Sequence, residues 1–256
     1  MTASAQTLRY AIAIPYLGLD AYSSRQLNAF SFTGNQAALA NINQKGIGIF
    51  GEQRFLLATN RSYRLAAVLP TKLGNIGVQL NYAGFKNFNE YRLGLAYARS
   101  LGPKAGLGIQ FNYYGYRIPG YSSSSGIEVE AGAIFHLTEQ LHIGVHGFKP
   151  FGGKNSQDKP ASVYKAGFGY DASAQFFAAF EISKEEDKPV NVVAAIQYHF
   201  AQLFFARLGF SSSTSTPFGG VGIGWRNFRL DLSVSYHPQL GISPGFLVLI
   251  QNQPTR

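Results

Sequence analysis

The chain has 256 residues, of which 46% are hydrophobic, 14% are aromatic and only 14% are charged. So few charges beside so many aromatic residues exclude intrinsic disorder and argue against an ordinary soluble enzyme. With no Cys, the sequence excludes disulfides, thiolate metal sites, thiol nucleophiles and a lipoprotein anchor on Cys, while the net charge of +9 leaves an anionic partner open.

The first five residues resemble the end of a secretory signal peptide. Ala3-Ser4-Ala5 is a small-residue cleavage pattern followed by Gln6, but no basic start and no apolar stretch precede it. We therefore expect residues 1–5 to be the remnant of a signal peptide whose start codon is assigned too far downstream. A chance Ala/Ser string is the alternative.

Residues 6–45 do not alternate like a strand series. They form a turn-rich segment that ends in a short helical piece at residues 36–40. From the residues alone, this segment is either a plug inside a larger structure or a periplasmic tail.

From residue 46 onward, apolar and small or polar residues alternate with a period of two. In residues 90–99 the odd positions are Tyr or Leu except for Arg99, and the even positions are charged, Gly or Ala. Residues 228–237 repeat this pattern, and no long segment has the spacing of an amphipathic helix. The region is therefore predicted to be all-β.

About fourteen strands of roughly ten residues fit residues 46–251. The predicted strands are 46–54, 62–69, 73–83, 89–99, 105–116, 126–136, 140–148, 162–170, 174–183, 189–199, 203–211, 217–225, 227–236 and 244–251. Short connections alternate with longer polar ones, such as residues 84–88, 117–125 and 149–161. This layout is typical of an outer-membrane barrel.

A soluble β-sandwich or lipocalin-like barrel would also alternate. Its water-facing positions would carry many Lys and Glu, whereas here they are mostly Gly, Ala, Ser, Asn and Gln, and the apolar positions carry Tyr and Phe near strand ends. We therefore predict a closed antiparallel transmembrane β-barrel over residues 46–256, located in the bacterial outer membrane. Closure is required because an open sheet edge would leave backbone groups unpaired in lipid.

Charged residues at the polar positions should face the lumen and pair there. The predicted lumen charge network consists of Arg54, Glu90, Arg92, Glu128, Glu130, Arg207, Arg229 and Asp231. Surplus Lys residues fall in loops, where outer-membrane lipids, with lipopolysaccharide phosphate as one candidate, are expected partners. Nucleic acid is not expected, because no helix concentrates the basic residues.

A family resemblance rests on the end of the N-terminal segment. The plug motif Asn35-Gln36-Ala37-Ala38-Leu39-Ala40, followed by about fourteen strands, resembles the long-chain fatty-acid transporter (FadL-like) superfamily of outer-membrane barrels, although that family has Pro where Gln36 stands. The short loops more closely resemble the PorV and PorQ barrels of the type IX secretion system. The resemblance implies that residues 6–45 plug the lumen.

Catalytic and metal sites are poorly supported. His142 and His146 are four residues apart, which on a strand is about 13 Å, too far for one metal ion. Ser233, His237 and Asp231 share one face, but residues two apart on a strand do not make a direct Ser–His contact. We expect no enzyme activity, no cofactor and no metal.

Two functions of different classes remain. The favoured prediction is a non-enzymatic accessory subunit or docking platform of a larger secretion or envelope-biogenesis complex, with other outer-membrane or periplasmic proteins as partners. The alternative is a transporter of hydrophobic, fatty-acid-like small molecules. The short polar loops favoured the first, because such transporters capture their ligands in long extracellular loops.

Overall fold

A computed structural model describes residues 16–85, 88–118, 120, 122–151, 161–186 and 188–252. In these ranges the chain forms fourteen strands: β1 (Gly46–Gln53), β2 (Arg61–Leu69), β3 (Asn75–Phe85), β4 (Phe88–Ser100), β5 (Ala105–Ile118), β6 (Ser122–His136), β7 (Leu141–Phe151), β8 (Val163–Asp171), β9 (Phe176–Glu185), β10 (Asn191–His199), β11 (Phe204–Ser211), β12 (Thr216–Trp225), β13 (Phe228–His237) and β14 (Gly241–Gln251). Among the described residues, no helix is long and apolar enough to cross a membrane.

Each strand pairs antiparallel with its neighbours in the chain, and β1 pairs with β14 to close the barrel. The prediction of a closed antiparallel barrel of about fourteen strands is therefore confirmed. We call the end where the chain enters β1 and leaves β14 the turn end, and the opposite end the loop end. In outer-membrane barrels the short turns face the periplasm, which places the turn end there.

The two faces of the wall differ in polarity, as the alternation predicts. On β4, Leu95 points outward with 58% of its surface exposed, while Ala96 points inward and is 1% exposed. Exposed Tyr, Trp and Phe side chains mark both ends of the outer surface: Tyr97, Tyr170, Trp225 and Phe228 at the turn end, and Tyr63, Tyr82, Tyr91 and Tyr113 at the loop end. This apolar surface with aromatic borders is covered by a bilayer, in agreement with the outer-membrane location.

The loop end differs from the sequence-based prediction because the strands run further. Residues 84–88 and 117–125 were expected to be loops, but β3 continues to Phe85, β4 begins at Phe88, and β5 and β6 pair up to Ile118 and Ser122. Gly84 turns the chain with a φ of 126°, which a glycine adopts without strain. The polar ends of these strands pair with each other as readily as apolar segments do, so polarity did not mark their limits.

The described part of the N-terminal segment contains short helices: an α-helix at Tyr16–Leu19 and 3-10 helices at Asp20–Tyr22, Ser31–Thr33 and Gln36–Asn41. Outside this segment, a further 3-10 turn at Arg54–Leu56 follows β1. Tyr22, Phe30, Phe32 and Leu39 are fully buried. They belong to one apolar cluster with inward side chains of the wall, among them Phe50 and Leu249. The expected signal-peptide remnant at residues 1–5 and the beginning of the expected plug at 6–15 lie outside the described residues.

Candidate functional site

Inward-facing glycines of the wall accommodate the N-terminal segment. A Cβ on Gly108 of β5 would lie 2.6 Å from the Ala37 nitrogen, and one on Gly144 of β7 would lie 2.9 Å from the Tyr22 ring. A Cβ on Gly169 of β8 would collide with the Tyr22 carbonyl. The backbone of the segment therefore approaches the wall closely where the wall has no side chains.

Glu130 on β6 joins the segment to the wall. Its carboxylate accepts hydrogen bonds from Gln36 Nε2 at 2.6 Å and from Asn112 Nδ2 at 2.8 Å. His146 Nε2 lies 3.1 Å from it, and Arg92, which also pairs with Glu128 at 2.7 Å, lies 3.4 Å from it. Because Glu130 is 2% exposed, these contacts offset the free-energy cost of burying its carboxylate.

A second charged cluster lies on the opposite side of the lumen. Arg207 on β11 pairs with Asp20 of the segment at 3.2 Å and with Asp231 of β13 at 3.3 Å. Asp231 also pairs with Arg229 at 2.6 Å, and Asn28 donates to Asp20 at 2.8 Å. The Phe205 ring lies under both guanidinium groups, at 4.9 Å from Arg207 and 4.6 Å from Arg229.

Two more carboxylates of the wall bind the segment. Glu181 on β9 accepts a hydrogen bond from the Tyr22 hydroxyl at 2.9 Å and pairs with Lys165 at 3.0 Å. Asp171 at the end of β8 accepts from the hydroxyls of Ser23 at 2.7 Å and Ser24 at 3.0 Å.

Behind Asp171, the wall continues a chain of polar contacts. His142 Nε2 lies 3.1 Å from the Asp171 carboxylate, and the Nδ1 atoms of His142 and His136 are 2.8 Å apart. His136 Nε2 in turn lies 2.6 Å from Asn41 of the segment. The segment is thus bound at both ends of one chain of polar side chains.

Burial changes the acid–base properties of the segment. Desolvation, and then the neighbouring Glu181 carboxylate, raise the pKa of Tyr22 well above its usual value, so its hydroxyl stays protonated and donates. Desolvation also raises the pKa of Asp20, while Arg207 opposes this shift. The contact between Asp20 and Arg207 is therefore a balance between burial and charge pairing.

Cavities lie in the lumen on both sides of the segment. The loop-end cavity has a volume of about 510 Å³, and its walls include Leu17, Gly34, Val163, Val193 and Lys165. The turn-end cavity has a volume of about 280 Å³, and its walls include Gln26, His199, Phe205 and Leu249.

The predicted plug motif lies against the wall along its whole length. Asn35 caps the following 3-10 turn by accepting from the Ala37 nitrogen, and its Nδ2 donates to the carbonyls of Ala133 and Val145. Gln36 binds Glu130, Ala37 and Ala38 are buried, and the Leu39 and Ala40 carbonyls accept from Asn75 and Ser100.

Six of the eight predicted lumen charges lie in two clusters. Arg92, Glu128 and Glu130 form the first cluster, and Arg207, Arg229 and Asp231 form the second. Arg54 lies next to Glu52 at 4.0 Å, and Glu90 lies on the inward face of β4 nearer the loop end than Arg92.

Sequence reasoning missed Asp20, Tyr22 and Asp171 as site residues, whereas strand parity alone places Glu181 on the inward face of β9. Asp20 carried a signal, because it is the sole charged residue in positions 10–24. The others had none, since their partners are distant in the chain.

The structure does not assemble the Ser–His–Asp set considered from the sequence. Ser233 donates to the Gly245 carbonyl, Asp231 is engaged by two arginines, and His237 Nδ1 accepts from the backbone of its own turn at Gln239. Within the described ranges, no three His, Asp or Glu side chains are placed to hold a metal ion.

Comparison with solved structures identifies similar barrels. The CymD monoaromatic hydrocarbon channel has a TM-score of 0.64 and 12% identity over 90% of this chain and 94% of its own. The toluene transporter TodX of Pseudomonas putida has a TM-score of 0.65 and 10% identity over 91% and 96%. A FadL homologue of Pseudomonas aeruginosa has a TM-score of 0.64 and 8% identity over 92% and 97%.

At these identities the likeness establishes the fold alone, a closed barrel shared with these three proteins. These neighbours are described as channels or transporters and not as enzymes. No family model matches the chain. No curated protein matches it either.

The expectation of an accessory subunit in a secretion or envelope complex is wrong. The similar barrels are hydrocarbon channels, and they give no support to a PorV or PorQ resemblance, to type IX secretion or to a signal peptide. That expectation rests on the short polar loops, because such transporters are expected to capture their ligands in long extracellular loops. The structure forms its loop-end cavity from strand residues such as Val163 and Val193 together with connection residues such as Pro189 and Thr214.

Proposed function

We propose that this protein is a channel for small hydrophobic molecules across the outer membrane, in which residues 16–45 plug the lumen. The observation that carries the proposal is a cavity of about 510 Å³ above the segment, in a barrel whose fold is shared with monoaromatic hydrocarbon channels. Ligand pockets commonly have volumes of about 300–1,000 Å³, and an apolar cavity of about 150 Å³ suffices for benzene.

The chemistry of the cavity supports an uncharged ligand. Lys165 is paired with Glu181 at 3.0 Å, and Arg64 donates to Thr33 at 2.9 Å and to Asn81 at 2.8 Å. Lys188 and Glu185, which also line the cavity, pair with each other at 3.0 Å. Since these charges have partners in the protein, a ligand meets uncharged groups: apolar ones of Leu17, Val163, Pro189 and Val193, and polar ones of Thr33, Ser183, Asn191, Ser213 and Thr214. The apolar outer face contacts the membrane lipids, which are the partners we assign to it.

Uptake of radiolabelled toluene by whole cells tests the proposal. Cells that express the chain should accumulate toluene faster than cells carrying the empty vector. Val163→Trp fills the loop-end cavity and should abolish the increase, whereas Tyr164→Trp, on the adjacent lipid-facing residue, should not. Equal uptake with and without the protein would refute the proposed function.

A further inference from the structure

Three cavities of the lumen follow one strand from the loop end to the turn end. The inward residues of β10 line them in order: Asn191 and Val193 the loop-end cavity, Ala195 and Gln197 a small cavity of about 10 Å³, and His199 the turn-end cavity. At about 3.3 Å per residue, this series spans about 26 Å, close to the height of the apolar band of such barrels.

The N-terminal segment lines the same cavities in the same order. Leu17 and Gly18 border the loop-end cavity, Leu19 and Asp20 the small one, and residues 25–28 the turn-end cavity. The segment and β10 therefore face each other along the same series of cavities, and this series narrows at the small one.

An ion pair holds this narrow point closed. Arg207 pairs with Asp20 at 3.2 Å, and its Nε donates to Gln197 on β10, so it connects the segment to the wall. A volume of about 10 Å³ holds at most one water molecule. Leu19, Phe177 and Ala195 give this constriction an apolar surface.

On the opposite side of the lumen, the described residues of the segment pack closely against the wall. There the 3-10 helix at Gln36–Asn41 lies directly on the glycines of β5 and β6, and a Cβ on Gly106 would lie 3.2 Å from the Ala40 Cβ. The wall itself is paired in continuous register at all fourteen strand junctions, β10 with β9 and β11 included.

We infer that transported molecules cross the barrel along β10, between this strand and residues 17–28, and that the contact between Asp20 and Arg207 closes this route. The inference rests on the proposed function and specifies its path. Ala195 is the small side chain that leaves the constriction wide enough to open, and Asp20 positions the segment against it.

A chain without native Cys allows a direct test by thiol labelling. Ala195→Cys is treated in whole cells with benzyl methanethiosulfonate, whose reaction with the thiolate forms a mixed disulfide and releases methanesulfinate. The matched control is Ala194→Cys, which is the adjacent residue on the lipid-facing side of β10. Intact-protein mass spectrometry measures labelling, and radiolabelled toluene measures uptake.

We expect labelling of Cys at position 195 to reduce toluene uptake to the level of cells without the protein, and labelling at position 194 to leave it unchanged. A reducing agent should restore uptake. Failure of the reagent to reach position 195, or full labelling there with undiminished uptake, would overturn the route. If the unsubstituted chain itself gives no uptake above the vector control, the proposed function has failed instead.

A second variant tests the closing contact without relying on labelling. Asp20→Asn keeps the shape of the side chain but removes the charge that faces Arg207, and we expect a several-fold rise in the influx of a bulkier probe, N-phenyl-1-naphthylamine. Glu139→Gln, in the exposed turn after β6, is the control for the loss of a carboxylate charge away from the route. An influx equal to that of the unsubstituted chain in Asp20→Asn would refute the role of this contact.

Discussion

Removing one hydroxyl should loosen the N-terminal segment measurably. In Tyr22→Phe the ring keeps its place against Gly144 and Gly167, but the hydrogen bond of 2.9 Å to Glu181 is lost. A hydrogen bond to a charged group contributes about 1.5–3 kcal/mol. Glu181 keeps its pairing with Lys165 at 3.0 Å, so its carboxylate still has a partner in the variant. The free-energy loss should therefore stay within this range.

Hydrogen exchange measures this effect at the segment itself. When a locally opened segment recloses faster than its amide hydrogens exchange, a loss of about 1.5–3 kcal/mol in the free energy of opening accelerates exchange roughly 10- to 150-fold. Peptides covering residues 17–34 should show this acceleration, while peptides from the central strands should keep their protection. Detergent-solubilised protein analysed by mass spectrometry gives both in one experiment.

The matched control is Tyr164→Phe, a tyrosine that is 62% exposed on the lipid-facing side of β8. It should leave the exchange of residues 17–34 unchanged. If Tyr22→Phe also leaves it unchanged, the contact with Glu181 does not hold the segment in the lumen. If both variants accelerate exchange throughout the barrel, the effect is on the wall rather than on the seating of the segment.

Two further substitutions probe other contacts of the segment. Gly108→Ala places a Cβ 2.6 Å from the Ala37 nitrogen and should displace the 3-10 helix, raising the exchange of residues 34–42; Gly147→Ala, whose Cβ would meet its nearest neighbour at 3.8 Å, should have no effect on the same peptides. Glu130→Gln removes the charge shared by Gln36 and Arg92, and since Arg92 keeps Glu128 we expect a loss of about 1–3 kcal/mol. The temperature at which the folded band disappears on a semi-native gel should fall, and an unchanged temperature would show that Glu130 is dispensable.

The wall could be predicted from the sequence because its signal is local. Each strand alternates between lipid and lumen, so neighbouring residues such as Leu95 and Ala96 reveal the two faces without knowledge of their partners. The strand ends could not be predicted in the same way. Beyond the bilayer both faces of β5 and β6 meet water, and the alternation fades at Ser122–Ser125 while the backbone pairing continues.

The site was only half predictable. The inward position of Arg92, Glu130, Arg207 and Asp231 follows from strand parity alone. The contacts between the wall and the segment cannot be predicted in this way, because the contacting residues lie far apart in the chain. Tyr22 and Glu181, for example, are 159 residues apart, and no local pattern relates them. Ion pairs join Arg92, Glu128 and Glu130 on one side of the lumen and Arg207, Arg229 and Asp231 on the other, and the segment bonds to both groups.

The composition of the lumen bears on whether the segment can leave it. Phe30, Phe32 and Leu39 are buried against the wall and favour the seated state through apolar contact. The polar contacts of the segment include hydrogen bonds to Glu130, Asp171 and Glu181 and the pairing of Asp20 with Arg207, and a carboxylate that loses such a partner to water is hydrated instead. The net contribution of each bond is then about 0.5–3 kcal/mol rather than the full cost of an unpaired buried charge. A polar wall thus fixes the position of the segment without making its release prohibitive.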